Sequence, residues 1–207
     1  GLKHALDLID LTSKEKDLNK KQEARLHYFA GNAYSALDQL DRNESSKSEI
    51  WTQNWERPEI EPVILNYRRA ANHPGFESLP IPRQCQALTN LGNTLNTVGR
   101  SIEALRHYDE ALELLPSFKM ARGNRAFASG LYAQMFYDPG HALTFFRFAH
   151  ADVATASSGG EYVEPDAQDG FQQYKEQLQS IVGSRKEQCK DPNLYNIDLG
   201  DSSGEKA

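Results

Sequence analysis

An all-α chain, a short stack of helical hairpins with a C-terminal capping helix, is what this sequence predicts, and three observations carry the expectation. The stretch from Cys85 to Phe118, CQALTNLGNTLNTVGRSIEALRHYDEALELLPSF, sets small residues, an aromatic and a proline at the spacing of two packed antiparallel helices. Altered versions of the same pattern stand on both sides of it, as expected of a unit that cannot bury both of its faces alone. A last amphipathic stretch near the C-terminus is placed to cover the open apolar end of such a stack.

Taken in order, LKHALDLIDL reads as the second helix of a unit whose first helix is absent, which implies a chain cut from something longer. A degenerate unit over about residues 20–74 follows. In it HYFAGNAYSAL places Gly31 and Tyr34 at the eighth and eleventh positions of a first helix running from roughly Lys20 to Leu40. An insertion over 41–57 replaces the short turn. Its polar, serine-rich part from Asn43 to Glu49 marks an exposed loop tip. Trp51 and Trp55, the chain's two tryptophans, either staple this insertion onto the stack or offer an aromatic contact to a partner. The second helix begins at about Pro58, whose missing N–H suits a first turn, and carries Ile64, Leu65, Tyr67 and Ala70.

The central stretch is complete. Counted from Cys85, Leu91 and Gly92 occupy positions seven and eight, Ala104 position twenty, Tyr108 position twenty-four and Ala111 position twenty-seven, and Pro116 closes the unit. Gly92, Ala104 and Ala111 make room where two backbones approach. Leu88, Leu91, Leu95, Leu105, Tyr108, Leu112 and Leu115 recur every three or four residues as an apolar stripe on each helix. Gly99 ends the first helix, Ser101 is the expected N-cap of the second, and Pro116 blocks its continuation. This is the pattern of a tetratricopeptide repeat of about 34 residues.

Downstream, about residues 119–154 form a second degenerate unit, with Asp138 as N-cap and Pro139 in the first turn of its second helix. Ala142, Phe146 and Ala149 match positions twenty, twenty-four and twenty-seven if the preceding helix is about one turn longer than usual. Residues 157–188 then read as a Gly/Ser linker and a capping helix, Pro165 to Val182, with Phe171, Tyr174, Leu178 and Ile181 on one face. Residues 189–207 lack periodicity and read as a tail or a linker to a further domain.

The 207 residues suit one elongated domain, with hydrophobic and charged contents ordinary for a soluble protein. No apolar run approaches the roughly 20 residues that cross a bilayer, and no export signal is apparent, so a cytoplasmic location without membrane contact is expected. Cys85 and Cys189 have no metal-ligand spacing and read as free thiols in a reducing compartment. A net charge of −6 argues against the whole chain acting as a nucleic-acid surface. Local basic patches remain open, formed by Lys119, Arg122 and Arg125 or by Arg68 and Arg69.

First helices of stacked pairs line the inner curve, and here they present a polar row: Gln86, Thr89, Asn90, Asn93, Asn96 and Thr97, with Asn32 upstream and Asn124 downstream. An asparagine amide donates and accepts at once, so Asn32, Asn90, Asn93, Asn96 and Asn124 are candidates to hold an extended peptide by its backbone. The bland alternative is a solvated polar face. The terminal-carboxylate clamp known among these repeats joins asparagines to lysines and an arginine. Tyr28 and Met120 stand where two of those lysines would be, which argues against an acidic C-terminal ligand.

Nothing marks an enzyme. A phosphate loop, a His-Glu-x-x-His pair, paired cysteines and a Gly-x-Ser-x-Gly elbow are all missing, and no cofactor is implied. Arg68 with His73, and Arg100 with His107, match the loose arginine–histidine spacing of HEPN ribonucleases, but both pairs fall on or beside second helices that the repeat already explains.

HYFAGNAYSAL, the W-x-x-x-W-E-x-P-E of Trp51 to Glu59, RQCQALTNLGNTL, GRSIEALRHYDEALELLPSFKMARGNRA and the YDPGH of Tyr137 to His141 cover about residues 25–142. Together they resemble a bacterial family in which a degenerate tetratricopeptide region precedes a C-terminal HEPN domain. The resemblance implies RNA cleavage by a domain beyond this chain, in a toxin or phage-defence role, with the present chain as its sensing, regulatory or oligomerising arm. The expected partners are a protein or peptide, that missing domain, RNA through it alone, or a second copy of the chain. The alternatives are an RNA-binding or RNA-cleaving part of such a nuclease, and a self-association scaffold.

Overall fold

In the computed structural model, residues 1–15, 17–45, 60–159, 163 and 165–189 are described, and among them are eight α-helices and no strand. The helices are α1 Leu2–Ser13, α2 Lys20–Ser45, α3 Ile60–Ala71, α4 Ile81–Thr97, α5 Ser101–Leu114, α6 Lys119–Ala133, α7 Pro139–Ala156 and α8 Pro165–Gln188. Each packs on its neighbour in the chain, and α6 also touches α4 and α8. The fold is the predicted all-α arrangement of helical hairpins. No helix of the described residues is long and apolar enough to cross a membrane.

Three hairpins follow from where small residues meet rings. In α4–α5 the Cys85 thiol lies 3.3 Å from the Ala111 carbonyl, the Tyr108 hydroxyl 2.8 Å from Asn93, and Ser101 3.0 Å from Asn96. The sequence separations of these pairs shrink from 26 to 15 to 5, as only an antiparallel pair allows. A Cβ on Gly92 would sit 2.6 Å from the Tyr108 ring, so the two helices approach at glycine. The α2–α3 pair repeats this contact, with Gly31 2.6 Å from the Tyr67 ring by the same measure. In α6–α7, Ala126, Ala142, Phe146 and Ala149 are buried together, the register expected of the second degenerate unit.

The hairpins then stack in parallel. Tyr28 pairs with Gln86 and Asn32 with Asn90, both at a separation of 58 residues, so α2 and α4 run in the same direction. One core runs from α2 through α6, built on Tyr67, Leu91, Leu95, Tyr108 and Phe118. A second joins α6, α7 and α8. Gly123 of α6 faces Phe171, and Gly130 faces Tyr174 and Leu178, so α8 runs along α6 and buries Phe171 and Leu178.

Several boundaries differ from expectation. α2 continues past Leu40 to Ser45, α4 begins at Ile81, a turn before Cys85, and α8 extends beyond Val182 to Gln188. The surplus residues before Ala142 are shared between α6 and the connection Gln134–Asp138. Ser101 is no N-cap: Arg100 holds that place and makes no side-chain cap, and the Ser101 hydroxyl donates to the Asn96 side chain instead. Gly99, at φ 79°, turns the chain early and draws Ser101 into the first turn. Asp138 does cap α7, accepting from the His141 N–H at 2.8 Å, with Pro139 in the first turn. Pro58, most of the 41–57 insertion and the tail from residue 190 lie outside the described residues.

Candidate functional site

The polar row lines a groove across α2, α4 and α6. Two adjoining hollows form it, of about 390 and 380 Å³, and both are lined by Asn32, Asn90 and Asn93. The first continues toward Ser35, Gln39 and Thr97. The second continues toward Gln86, Thr89 and Asn124, with Phe118, Met120 and Val163 as its apolar wall. Four of the five predicted asparagines therefore share one surface. Asn96 departs from it: its carboxamide accepts from Ser101 and ties the α4–α5 turn, and it lines neither hollow.

Buried tyrosines of the second helices orient the amides. The Tyr67 hydroxyl donates to Asn32 Oδ1 at 2.8 Å while receiving Asn90 Nδ2 at 3.3 Å, and Asn90 Nδ2 also reaches Asn32 Oδ1 at 3.3 Å. In the next unit the Tyr108 hydroxyl donates to Asn93 Oδ1 at 2.8 Å. The Tyr28 hydroxyl leans on Gln86 Oε1 in the same sense, at 3.4 Å. With their oxygens engaged, Asn32, Asn93 and Gln86 keep their amide N–H groups for a ligand, whereas Asn90, with its nitrogen engaged, keeps its carbonyl oxygen. Burial raises the pKa of Tyr67 and Tyr108 far above 10, so both stay hydroxyl donors at any physiological pH.

Two further groups lack intramolecular hydrogen bonds among the described residues. Thr89 Oγ1 is buried in the groove wall without a partner, and Asn124 on α6 makes none. A buried hydroxyl left unpaired costs stability, on the order of 1–3 kcal/mol, which a bound hydrogen-bonding group can return.

The groove carries little charge. Among the described lining residues Asp38 is the one carboxylate, and none is a lysine or arginine. Tyr28 carries the Arg83 guanidinium over its ring at 5.2 Å. The expected patch of Lys119, Arg122 and Arg125 is engaged within the chain. Arg125 meets Asp152 at 2.6 Å and Asp109 at 2.5 Å, Arg122 meets Asp152 at 3.4 Å, and Lys119 bonds Ser158 at 2.7 Å. Burial works against the Arg125 charge, but its bonds to Asp152 and Asp109 outweigh this and raise its pKa.

Nor do the arginine–histidine pairs converge. Arg68 and Arg100 both pair with Glu103, His73 Nε2 meets Glu23 at 3.2 Å, and His107 meets Glu110 at 2.8 Å. Trp51 and Trp55 lie outside the described residues. Reading by position found the asparagines but missed Tyr67 and Tyr108, which it assigned to the core alone. Their recurrence three residues before Ala70 and Ala111, opposite Gly31-Asn32 and Gly92-Asn93, is the signal that could have found them.

No known protein family matches this chain, and no curated protein is similar to it.

Proposed function

We propose that this chain is a binding module whose α2–α4–α6 groove holds an extended segment of a protein partner by its backbone. The observation that carries the reading is which amide atoms are engaged in the groove wall: the oxygen at Asn32, the nitrogen at Asn90 and the oxygen at Asn93, leaving N–H, C=O and N–H in turn for a ligand. A peptide backbone alternates the same two groups and needs no charge to answer them. Packed helices lie about 8–10 Å apart, so three of them span about 16–20 Å, or about five or six extended residues. The absence of basic residues from the described lining favours an internal or neutral segment over an acidic terminus. The role is binding, not catalysis, since each arginine of the two arginine–histidine pairs is committed to Glu103.

The resemblance of HYFAGNAYSAL and YDPGH to the HEPN-linked family supports a wider reading. In it the chain is the N-terminal arm of a ribonuclease of bacterial toxin or phage defence, and its partner includes that nuclease domain.

Selection of random hexapeptides on the purified chain, followed by fluorescence anisotropy, tests the reading. Asn90→Ala with Asn93→Ala removes two or more hydrogen bonds, each about 1 kcal/mol, and weakens the selected peptides tenfold or more. Unchanged affinity in the double variant removes the groove from the account.

A further inference from the structure

A third hollow, of about 460 Å³, lies between α1, α2 and α3 and shares no lining residue with the asparagine groove. Its size falls within the roughly 300–1,000 Å³ of small-molecule sites. One wall is apolar, from Leu6 and Ile9 of α1, Leu18 of the connection and Leu26 of α2. The opposite wall is polar, from His27 of α2 and Asn66, Arg69 and His73 of α3.

The charges of this hollow are unequally engaged. Asp10 is held by Lys14 at 2.6 Å. Glu23 is turned onto His73 Nε2 at 3.2 Å, and His73 Nδ1 accepts from the Gly75 N–H at 3.1 Å, so both ring nitrogens of His73 are occupied. Arg69 stands apart. Among the described residues its guanidinium has no ion pair or hydrogen bond, although the neighbouring Arg68 is committed to Glu103. Asn66 gives its amide nitrogen to the Pro62 carbonyl at 2.9 Å, which leaves its oxygen to His27. One His27 nitrogen is thereby engaged, and the other has no hydrogen bond among the described residues.

We infer that this hollow binds a small amphiphilic anion, with a carboxylate or phosphate head on Arg69 and His27 and a short apolar body against Leu6, Ile9, Leu18 and Leu26. A guanidinium matches the two oxygens of either head in a fork, and the leucine and isoleucine wall removes a short alkyl chain from water. Burial, aided by the Arg69 and His73 charges against the Asn66 bond, holds His27 below its ordinary value. The ring is therefore a neutral donor or acceptor near pH 7 and an anion draws it toward protonation.

Calorimetric titration of the 207-residue chain with octanoate, octyl phosphate, inorganic phosphate and octanol tests this. Octanoate or octyl phosphate is expected to bind, with the better of the two naming the head group, and with octanol and inorganic phosphate at least tenfold weaker because each lacks one half of the ligand. Arg69→Ala is expected to weaken the preferred probe tenfold or more and Arg69→Lys to restore part of it. The exposed Arg69 is not part of the core, so the variant folds, as its circular dichroism will report. His27 ring signals in NMR are expected to move with the probe. Equal binding of octanol, an unaltered affinity in Arg69→Ala, or no binding of either amphiphile overturns the proposal. Asn90→Ala with Asn93→Ala leaves the titration unchanged, so failure here and failure of the groove are separable.

Discussion

Two glycines, chemically identical, have opposite consequences for stability in this chain. In Gly92→Ala the new methyl meets the Tyr108 ring at 2.6 Å, and that ring cannot swing away because its hydroxyl is held by Asn93. Helix propensity gains about 1 kcal/mol, but overpacking against a held ring costs about 1–3 kcal/mol, so a net loss of up to about 2 kcal/mol is expected in urea denaturation. Gly170 on α8 faces open space, and Gly170→Ala is expected to stabilise by about 0.5–1 kcal/mol. The thiols divide in a similar way. Burial pushes Cys85 up to about 11, so at pH 7.5 iodoacetamide should modify half-buried Cys189 in the native chain and both cysteines in urea. His27 supplies a pH test. Its folded pKa lies below 6.5 chiefly through burial, so as pH falls the unfolded chain binds the proton first. The stability due to neutral His27 is present above pH 6.5 and is lost as pH falls through the lower folded value. His27→Gln should flatten this dependence, read as urea midpoints at pH 7.5 and pH 5.

At the scale of elements, the hairpins were legible because sterics leave few choices. Gly92, Ala104 and Ala111 can stand only where backbones meet, and Pro116 only beyond a helix end. The cap of α5 was not legible: serine is the better capping residue, but the positive φ at Gly99 sets the start one residue earlier, at Arg100. The four groove asparagines were legible from their repeat positions. The direction of each amide was not, since it depends on a tyrosine hydroxyl from another helix. The Arg69 hollow escaped notice altogether, because α1, α2 and α3 each contribute a few residues and no local pattern joins them. Among elements, α8 is the clearest test of packing. Leu178 is fully buried against the α6–α7 pair, so Leu178→Ala should cost about 2–5 kcal/mol and loosen α6 and α7 in hydrogen exchange before α2 and α3.

Across the whole molecule, parallel stacking of the hairpins converts isolated amides into a continuous surface. Asn32 and Asn90 meet only because α2 and α4 run in the same direction at a separation of 58 residues, and α6 extends the line to Asn124. Elsewhere Ile102 and Met135 are exposed in a separate hollow whose described lining holds no asparagine or glutamine. The proposed function therefore rests on where a partner touches, and NMR titration of the isotope-labelled chain with its best-selected hexapeptide measures that directly. The side-chain amide signals of Asn32, Asn90, Asn93 and Asn124 are expected to shift together at saturating peptide, while Arg69, Arg106 and Met135 stay in place. Shifts confined to α5 and α7, or to the α1–α3 hollow, with those four amides unmoved, would contradict the proposed function.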